Sequence, residues 1–333
     1  MTDANTNPSA TAAGDAGVGG ADRLPVEDAH RLATDLIENV ETVIVGKHDV
    51  IEHIVTTVLG RGHLLLEDVP GVGKTVLARA VARSVDGSFK RVQFTPDLLP
   101  SDVTGVNVFN QKSHEFEFQP GPVFANVLLG DEINRAPPKT QSALLEAMEE
   151  HQVTVDGVTR HVPDPFVVIA TQNAVERDRT YDLPIAEVDR FMKKLELGYP
   201  TEREESEVLR RVVGGHPIDD IEPVASVEDL RRARATAAKV TVEAPVRNYV
   251  TRLVGYTREH AALGVSPRGA IRLLRASQGR AILDGRDYVV PDDVKAEAVP
   301  TLAHRVRTEE GDAAGAGAAT RVIEDALDDV AVE

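Results

Sequence analysis

Cysteine is absent from this chain of 333 residues. Disulfide bonds, thiolate metal ligands and cysteine nucleophiles are therefore excluded. Long hydrophobic runs are also missing: none approaches the roughly 20 residues that a membrane-spanning helix needs, and the N-terminus lacks the basic and apolar regions of a secretion signal. We find no internal repeat in the sequence. These absences fit a cytoplasmic protein without a membrane span.

Basic residues are fewer than acidic ones, at 37 against 54, which leaves a net charge of -17 at pH 7. A surface of this kind repels nucleic acid, so we do not expect a nucleic-acid partner. Many surface carboxylates also suit a high-salt cytoplasm, and we therefore expect a halophilic archaeal source. In molar salt the Debye length is only about 3 Å, so the net charge would say little about partners there.

The pattern of apolar residues divides the chain into four parts. Residues 1–23 have no periodicity and predict a disordered leader. Residues 24–200 alternate helical faces with short apolar strands, which predicts an α/β domain with a mostly parallel sheet covered on both faces. Residues 201–308 show helical periodicity only and predict a small all-α domain. Residues 309–333 are rich in Ala, Gly and acidic residues and predict a largely disordered tail with one short helix over 320–327.

The stretch LLLEDVPGVGKTVLARA, residues 64–80, joins an apolar strand to an amphipathic helix through a glycine-rich turn. Gly71 and Gly73 can adopt backbone angles closed to other residues, so successive N–H groups can converge on an anion at the positive end of the helix. Lys74 and Thr75 follow at once, which is close to the phosphate-binding pattern G-x-x-x-x-G-K-[ST], with Lys on the phosphates and Thr on Mg²⁺. The residues predicted to surround the phosphates are Pro70, Gly71, Val72, Gly73, Lys74, Thr75 and Val76.

One position departs from this pattern, because Asp68 stands where the pattern has glycine. Its carboxylate would repel phosphates unless it points away from them. An ordinary tight turn between strand and helix is the alternative interpretation of the stretch. Gly71, Gly73, Lys74 and Thr75 are nevertheless intact between a strand and a helix, so we retain the prediction that the loop binds ATP with Mg²⁺.

A second cluster of polar residues lies in VLLGDEINRAPPKTQSALLEAMEE, residues 127–150, where an apolar strand ends in Asp131 and Glu132. Ligands bind at the carboxyl edge of open α/β sheets, so both carboxylates are expected near the phosphate loop. We predict that Asp131 holds Mg²⁺ through water or Thr75, and that Glu132 orients and polarises the water that attacks the γ phosphate. Both residues could instead cap and charge the start of the next helix.

Two β-hairpins interrupt the α/β pattern. In residues 152–162 the pair Asp156-Gly157 is a two-residue turn signal between alternating segments. In residues 106–118 valines alternate on one arm and phenylalanines on the other, around a polar turn. Surface hairpins often carry no chemistry of their own, so both could be decoration of the sheet.

Three long segments resemble the MoxR family of AAA+ ATPases, in the branch with a hairpin inserted into the second core helix. They are FTPDLLPSDVTG (94–105), QPGPVFANVLLGDEINRAPPKTQSALLEAMEE (119–150) and VIATQN (168–173), and the resemblance extends over about residues 25–306. It implies a P-loop AAA+ core with a parallel sheet and two inserted β-hairpins, followed by a small all-α lid domain. The activity that it implies is Mg²⁺-dependent hydrolysis of ATP.

The same resemblance implies roles for residues outside the phosphate loop. Asn173 looks like sensor 1, which would help Glu132 position the lytic water, although an asparagine at a strand end is usually a turn former. Arg190 looks like an arginine finger, and Arg268 at the start of a lid helix looks like sensor 2; each could instead form a surface ion pair. The residues that match the adenine-pocket segment of the family are Val45 and Gly46.

Members of this family form rings, usually hexamers, that act as chaperone-like factors on partner proteins, often ones with a von Willebrand factor A domain. The resemblance therefore implies a homo-oligomer and client proteins for this chain. An arginine finger supplied by a neighbouring subunit would stabilise the transition state, worth roughly 10³ to 10⁵ in rate. A sensor arginine on the lid would let turnover rotate the lid against the core and move both hairpins.

Other functions stay open at this point. The same branch includes nucleic-acid motors such as the MCM helicases, and magnesium-chelatase subunits that insert metal into a porphyrin. Basic residues on the first hairpin would support a helicase, but Lys112 and His114 stand there against Glu115 and Glu117. A protein that binds ATP only as a structural switch is a third class, and the presence of Glu132 argues against it.

Overall fold

The computed structural model describes residues 23–173, 181, 183–213, 215, 217–308 and 316–332. The leader predicted over residues 1–23 therefore lies, except for Arg23, outside the described residues. Within these described ranges, no helix is long and apolar enough to cross a membrane.

Helices and strands alternate through the first half of the described chain, and helices follow. The α-helices are α1 (Val26–Glu41), α2 (His48–Leu59), α3 (Lys74–Arg83), α4 (Pro100–Thr104), α5 (Pro138–Glu150), α6 (Ile185–Val188), α7 (Glu202–Val212), α8 (Val227–Ala237), α9 (Ala244–His260), α10 (Pro267–Leu283), α11 (Pro291–Leu302) and α12 (Ala316–Asp329). The β-strands are β1 (Leu64–Asp68), β2 (Val85–Asp86), β3 (Phe89–Gln93), β4 (Gly105–Asn110), β5 (Glu115–Pro120), β6 (Val127–Asp131), β7 (Gln152–Val155), β8 (Val158–His161), β9 (Val167–Asn173), β10 (Lys193–Leu195) and β11 (Ala225–Ser226).

The central sheet has five parallel strands in the order β10-β1-β9-β6-β3, which confirms the parallel sheet predicted from the sequence. Asp68 stands opposite Asn173 at the end of the β1–β9 pair. On the other side of β9, Gln93 stands opposite Asp131 at the end of the β3–β6 pair. Because parallel strands end at the same edge, these four polar residues lie along the carboxyl edge of the sheet, where ligands bind in open α/β folds.

Helix α1 shows how the apolar pattern of the sequence becomes packing. Its apolar residues recur three and four positions apart, so they line one face of the helix. That face packs against α2, α3, α8 and α10. The residues buried on it are Ala29, Leu32, Ala33, Leu36, Ile37 and Val40.

The helical second half of the chain packs directly on the α/β core. Helix α10 approaches α2 so closely that a Cβ atom at Gly279 would come within 2.5 Å of the carbonyl oxygen of Thr56. At the same interface the side chains of Lys193 on β10 and Glu297 on α11 form a fully buried ion pair. Burial would raise the pKa of Glu297, but the charge of Lys193 holds it below its usual range. Separating such a pair leaves buried charge unpaired, at a cost of about 3–5 kcal/mol, so this contact fixes the two parts together.

The residues after position 200 also extend the core rather than standing apart from it. Strand β11 pairs with β2, with Ala225 opposite Val85. Helix α8 packs on α1 and α2. One hydrophobic cluster consequently runs through both predicted domains, from Ala29 in α1 to Ile282 in α10.

Both predicted hairpins are present, as β4–β5 and β7–β8. They touch each other: Asn107 Nδ2 donates to Asp156 Oδ2 at 2.7 Å, and the Arg160 guanidinium lies 3.9 Å from the centre of the Phe118 ring. Further out on the first hairpin, Phe109 and Phe116 pair edge to face across the two strands. Their side chains are 47% and 72% exposed, so this aromatic pair faces away from the core.

The C-terminal region corrects one prediction. In place of a largely disordered tail with a short helix over 320–327, residues 316–329 form α12, which packs against α9 and α11. Ile323 and Ala326, three positions apart, are buried at this contact. The hydroxyl of Tyr256 also donates to Asp329 Oδ2 at 2.9 Å. The acidic composition of the tail hid a short apolar stripe that has a partner only in the folded protein.

Candidate functional site

The glycine-rich turn between β1 and α3 forms an open loop at the start of the helix. Gly71 and Gly73 have φ angles of 87° and 95°, a left-handed conformation that glycine adopts without a steric penalty. A Cβ atom at either position would meet nothing within 4 Å, so the space beside both residues is open. A helix N-terminus with N–H groups and open space in front of it is suited to bind phosphate.

Lys74 lies at the centre of this loop and is 7% exposed. Its Nζ atom donates to the carbonyl oxygens of Asp68 at 2.7 Å and Val69 at 2.9 Å, and to Asn173 Oδ1 at 3.3 Å. Burial lowers the pKa of Lys74, while the nearby carboxylates oppose that shift. Since all three acceptors are neutral oxygens, the ammonium charge of Lys74 is available to a phosphate.

Asp68 does not obstruct the loop, although it replaces the glycine of the usual pattern. Its Oδ1 atom accepts a hydrogen bond from Val69 N at 2.7 Å. Its Oδ2 atom accepts from Leu197 N at 2.8 Å and from Gly198 N at 2.6 Å. The carboxylate is therefore engaged by main-chain N–H groups of the segment after β10, and the departure from the pattern is compatible with phosphate binding.

Asp131 and Thr75 provide the oxygen ligands expected for Mg²⁺, with Thr75 Oγ1 3.3 Å from Asp131 Oδ2. Two further residues hold the carboxylate: Thr171 Oγ1 donates to Asp131 Oδ1 at 2.6 Å, and Arg91 Nη2 donates to Oδ2 at 2.6 Å. The described residues contain no group of three or more potential His, Cys, Asp or Glu ligands. A Mg²⁺ ion here would therefore complete its shell with phosphate oxygens and water, which is its usual manner of binding in nucleotide sites.

Glu132 is held in place by three side chains. Asn173 Nδ2 donates to its Oε1 at 2.8 Å, while Gln93 Nε2 and Arg135 Nη1 donate to its Oε2 at 2.7 and 2.8 Å. Its backbone has φ 57°, and its N–H donates to Thr171 Oγ1 at 2.9 Å. A left-handed conformation costs a non-glycine residue about 1–2 kcal/mol, and such strain is typical of functional sites.

The alternative of a helix cap does not describe Asp131 and Glu132. The next α-helix, α5, begins only at Pro138, and a short 3₁₀ turn over Ile133–Arg135 comes first. Both carboxylates instead form hydrogen bonds with residues of β3 and β9. These neighbours, Arg91, Gln93 and Thr171, were not predicted from the sequence. The signal that could have revealed them is parallel pairing, which brings the carboxyl ends of β3 and β9 beside the end of β6.

Arg190 and Arg268 form a second group, away from the phosphate loop. In the β1–β10 pair Lys193 stands opposite Leu64, at the amino end of β1. Arg190 precedes Lys193 by three residues, so it lies beyond the amino end of β1. The phosphate loop follows the carboxyl end of β1, which is about 13 Å from the amino end. Arg190 Nε is buried without a hydrogen-bond partner.

Arg268 is joined to the segment that carries Arg190. Its guanidinium lies 3.5 Å from Asp189 Oδ2 and 3.3 Å from Glu149 Oε1. Asp189 also pairs with Arg305, whose Nε donates to Oδ1 at 2.7 Å, and accepts from Ser266 Oγ at 3.2 Å. Apart from Val45 and Gly46, the predicted site residues thus fall into two clusters: a phosphate-site cluster around Lys74 and an arginine cluster around Asp189.

Val45 borders a cavity of about 800 Å³ beside the N-terminal half of α7. Val45 lines it together with residues 201–204, 206, 207 and 210. Gly46 has φ 71°, and a Cβ atom there would collide with the carboxylate of Glu204. The volume is within the range of ligand pockets, so the cavity is large enough for a purine base.

Comparison with known proteins agrees with this geometry. Residues 63–193 match the model of the ATPase family associated with various cellular activities (AAA), and residues 256–326 match the AAA lid domain. Over 310 residues the chain is 42% identical to chaperone MoxR1 of Mycobacterium tuberculosis, covering 90% of this chain and 81% of that one. It is 32% identical over 293 residues to protein MoxR of Methylorubrum extorquens, covering 80% and 85%. A solved structure from Cytophaga hutchinsonii, assigned as an ATPase, has a TM-score of 0.83 and 39% identity, covering 92% of this chain and 97% of that chain.

Proposed function

Because the chain belongs to the MoxR family of AAA+ ATPases, we propose that it hydrolyses ATP to ADP and phosphate with Mg²⁺ and uses the reaction to remodel partner proteins. The observation that carries the proposal is the convergence of Lys74, Asp131, Glu132 and Asn173 at one edge of the sheet, around an open phosphate loop. These are the side chains that a water attacking a γ phosphate requires.

Binding of the triphosphate rests on the phosphate loop. The N–H groups around Gly71 and Gly73 and the ammonium of Lys74 hold the phosphate oxygens. Thr75 and Asp131 would hold Mg²⁺, which would neutralise charge on the phosphates. Thr171 and Arg91 keep the carboxylate of Asp131 oriented toward Thr75. The family resemblance assigns Val45 and Gly46 to the adenine, and Val45 lines the cavity beside α7.

Hydrolysis rests on Glu132 and Asn173. Asn173 Nδ2 donates directly to Glu132 Oε1 at 2.8 Å, so the two side chains are held together and can orient one water bound beside them for in-line attack on the γ phosphorus. Glu132 polarises the water and accepts its proton as the water oxygen bonds to phosphorus, while the bond from phosphorus to the leaving oxygen of ADP breaks. Gln93 and Arg135 hold the other carboxylate oxygen, which fixes the direction in which Glu132 points.

Replacement of Glu132 by glutamine tests this assignment. Glu132→Gln should bind Mg²⁺-ATP with wild-type affinity while turnover falls by roughly 10²- to 10⁴-fold, as for loss of a general base. Lys74→Ala should greatly weaken ATP binding itself. Calorimetry and phosphate release, each in low and in molar salt, measure the two effects. Glu146→Gln, an exposed change in α5, is the control, and wild-type turnover in Glu132→Gln would refute the proposal.

The arginine cluster around Asp189 supports action in a ring. Arg190 and Arg268 lie near the amino edge of the sheet, so we propose that they reach the phosphates of a neighbouring subunit in a homo-oligomer, expected to be a hexamer.

The exposed pair Phe109 and Phe116 suits protein clients, among them proteins with a von Willebrand factor A domain. We expect the protein in the cytoplasm. The relatives named above are bacterial, so the acidic composition alone supports the expected halophilic archaeal source.

A further inference from the structure

Asp68 joins two parts of the nucleotide site that are distant in the sequence. Its Oδ1 atom is bonded to the N–H of Val69, the first residue of the phosphate loop. Its Oδ2 atom is bonded to the N–H groups of Leu197 and Gly198, which follow β10. One carboxylate therefore holds the phosphate loop against the segment 197–198, across 129 positions of the sequence.

The phosphate side of this link passes through Lys74. Its ammonium donates to the carbonyl oxygens of both Asp68 and Val69, at 2.7 and 2.9 Å. Lys74, which is proposed to bind the phosphates, and Asp68, which holds segment 197–198, are thus bonded to the same stretch of main chain. The position of either one constrains the position of the other.

The base side of the link is the chain from Gly198 to α7. Gly198 has φ 64°, so it can turn the chain from β10 toward the cavity without strain. The carbonyl oxygen of Tyr199, the next residue, accepts from Lys47 Nζ at 3.2 Å. Thr201 then lines the cavity, and Glu204 of α7 lies against Gly46. The residues that form the wall of the cavity therefore follow directly, in the sequence, the segment that Asp68 holds.

We propose that Asp68 is a positioning residue for ATP, which fixes the distance between the phosphate loop and the base cavity so that one nucleotide reaches both. The inference rests on the proposed function of the site. Glycine, the residue of the usual pattern, could make none of these side-chain bonds, and an amide has a single acceptor oxygen for them. A preorganised site favours ligands that occupy both ends over ligands that occupy the phosphate end alone.

The test compares Mg²⁺-ATP with Mg²⁺-tripolyphosphate, which carries the phosphates without a base. Dissociation constants for both are measured by displacement of a fluorescent ATP analogue from wild type, Asp68→Ala and Asp68→Asn. Asp68→Ala should weaken ATP roughly tenfold, as for the loss of a hydrogen bond to a charged group, and tripolyphosphate by less than about twofold. Asp68→Asn, with one acceptor oxygen, should lie between wild type and Asp68→Ala.

Glu67→Ala provides a matched control. Glu67 precedes Asp68 and pairs with Lys194 of β10, so its loss loosens the same two strands without touching Leu197 or Gly198. The preference of the Glu67→Ala variant for ATP over tripolyphosphate should equal that of wild type. Equal weakening of both ligands in Asp68→Ala, or an unchanged preference, overturns the inference. If circular dichroism shows that Asp68→Ala is unfolded, Asp68→Asn decides by the same criterion, whereas a wild type that binds neither ligand overturns the proposed function instead.

Discussion

At the scale of single residues, His63 shows how packing selects one chemical form of a side chain. It is fully buried between β9 and the end of α5. Its Nδ1 atom accepts from Val168 N at 3.0 Å, so the proton must be on Nε2, which lies 3.1 Å from the carbonyl oxygen of Met148. Burial, together with the charge of Arg272, lowers the pKa of His63 to about 3. A second proton on the ring would face the Val168 N–H and lose that bond.

A pH dependence of stability follows from this histidine. Unfolded, His63 takes up a proton below about pH 6.5, but folded only near pH 3, so between these values the unfolded state binds more protons. The free energy of unfolding should therefore fall as the pH falls from 6.5 to 3, by at most about 1.4 kcal/mol per pH unit from this group. Urea titrations of His63→Gln should show a shallower slope over this range. The exposed control His161→Gln should keep the wild-type slope, and an equal slope in all three proteins would contradict the assignment.

The candidate site also shows at this scale what the sequence could predict. Asp131 and Glu132 could be predicted because they follow an apolar strand in a chain that carries a phosphate-loop pattern upstream, and each of these signals is local. The roles of Arg91 and Gln93 could not be predicted from local signals of this kind. Their role depends on β3 pairing with β6 in one register, and that pairing joins residues 38 positions apart, such as Gln93 and Asp131.

At the scale of elements, periodicity located helices well and their contacts poorly. The lid helix predicted to begin near Arg268 is observed as Pro267–Leu283. Its packing on α2 depends on the absence of a side chain at Gly279, which the periodic pattern does not encode. In the same way the short stripe of Ile323 and Ala326 did not outweigh the acidic composition of the tail, because its partners α9 and α11 are elsewhere in the sequence.

Helix α12 should contribute measurably to stability. Ile323 is 1% exposed, so Ile323→Ala should lower the free energy of unfolding by about 2–5 kcal/mol through lost burial and a residual cavity. Glu324→Ala, the next residue and exposed, should change it by less than about 0.5 kcal/mol. Urea unfolding followed by circular dichroism measures both variants. Equal stabilities would mean that α12 does not pack on the lid in solution.

At the scale of the whole molecule, two clusters of site residues lie toward opposite edges of one sheet. The phosphate-site cluster contains Lys74 and Glu132, and the arginine cluster contains Arg190 and Arg268. Within one subunit, Arg190 cannot reach a phosphate at Lys74 without breaking the register of β1 and β10. The buried pair of Lys193 and Glu297 also opposes rotation of the lid within a subunit. We therefore propose that motion between subunits couples ATP turnover to the remodelling of partner proteins.

Mixing two inactive variants tests the shared site. Arg190→Ala should bind ATP but hydrolyse it poorly, and Lys74→Ala should fail to bind it. In mixed rings some interfaces pair an intact phosphate loop with an intact Arg190, so part of the activity should return and should rise with protein concentration. Phosphate release is measured across mixing ratios, with gel filtration to establish co-assembly. Co-assembly without any recovered activity would show that Arg190 does not act on a neighbour.

The contact of α10 with α1 and α2 has a consequence for synthesis on the ribosome. The apolar faces of α1 and α2 are complete once Leu59 has been made, but α10, one of their main partners, ends at Leu283. At about 5–20 residues per second, this interval lasts roughly 10–45 s. Through that time the nascent chain presents unpaired apolar surface. We expect the growing polypeptide to bind ribosome-associated chaperones during this interval.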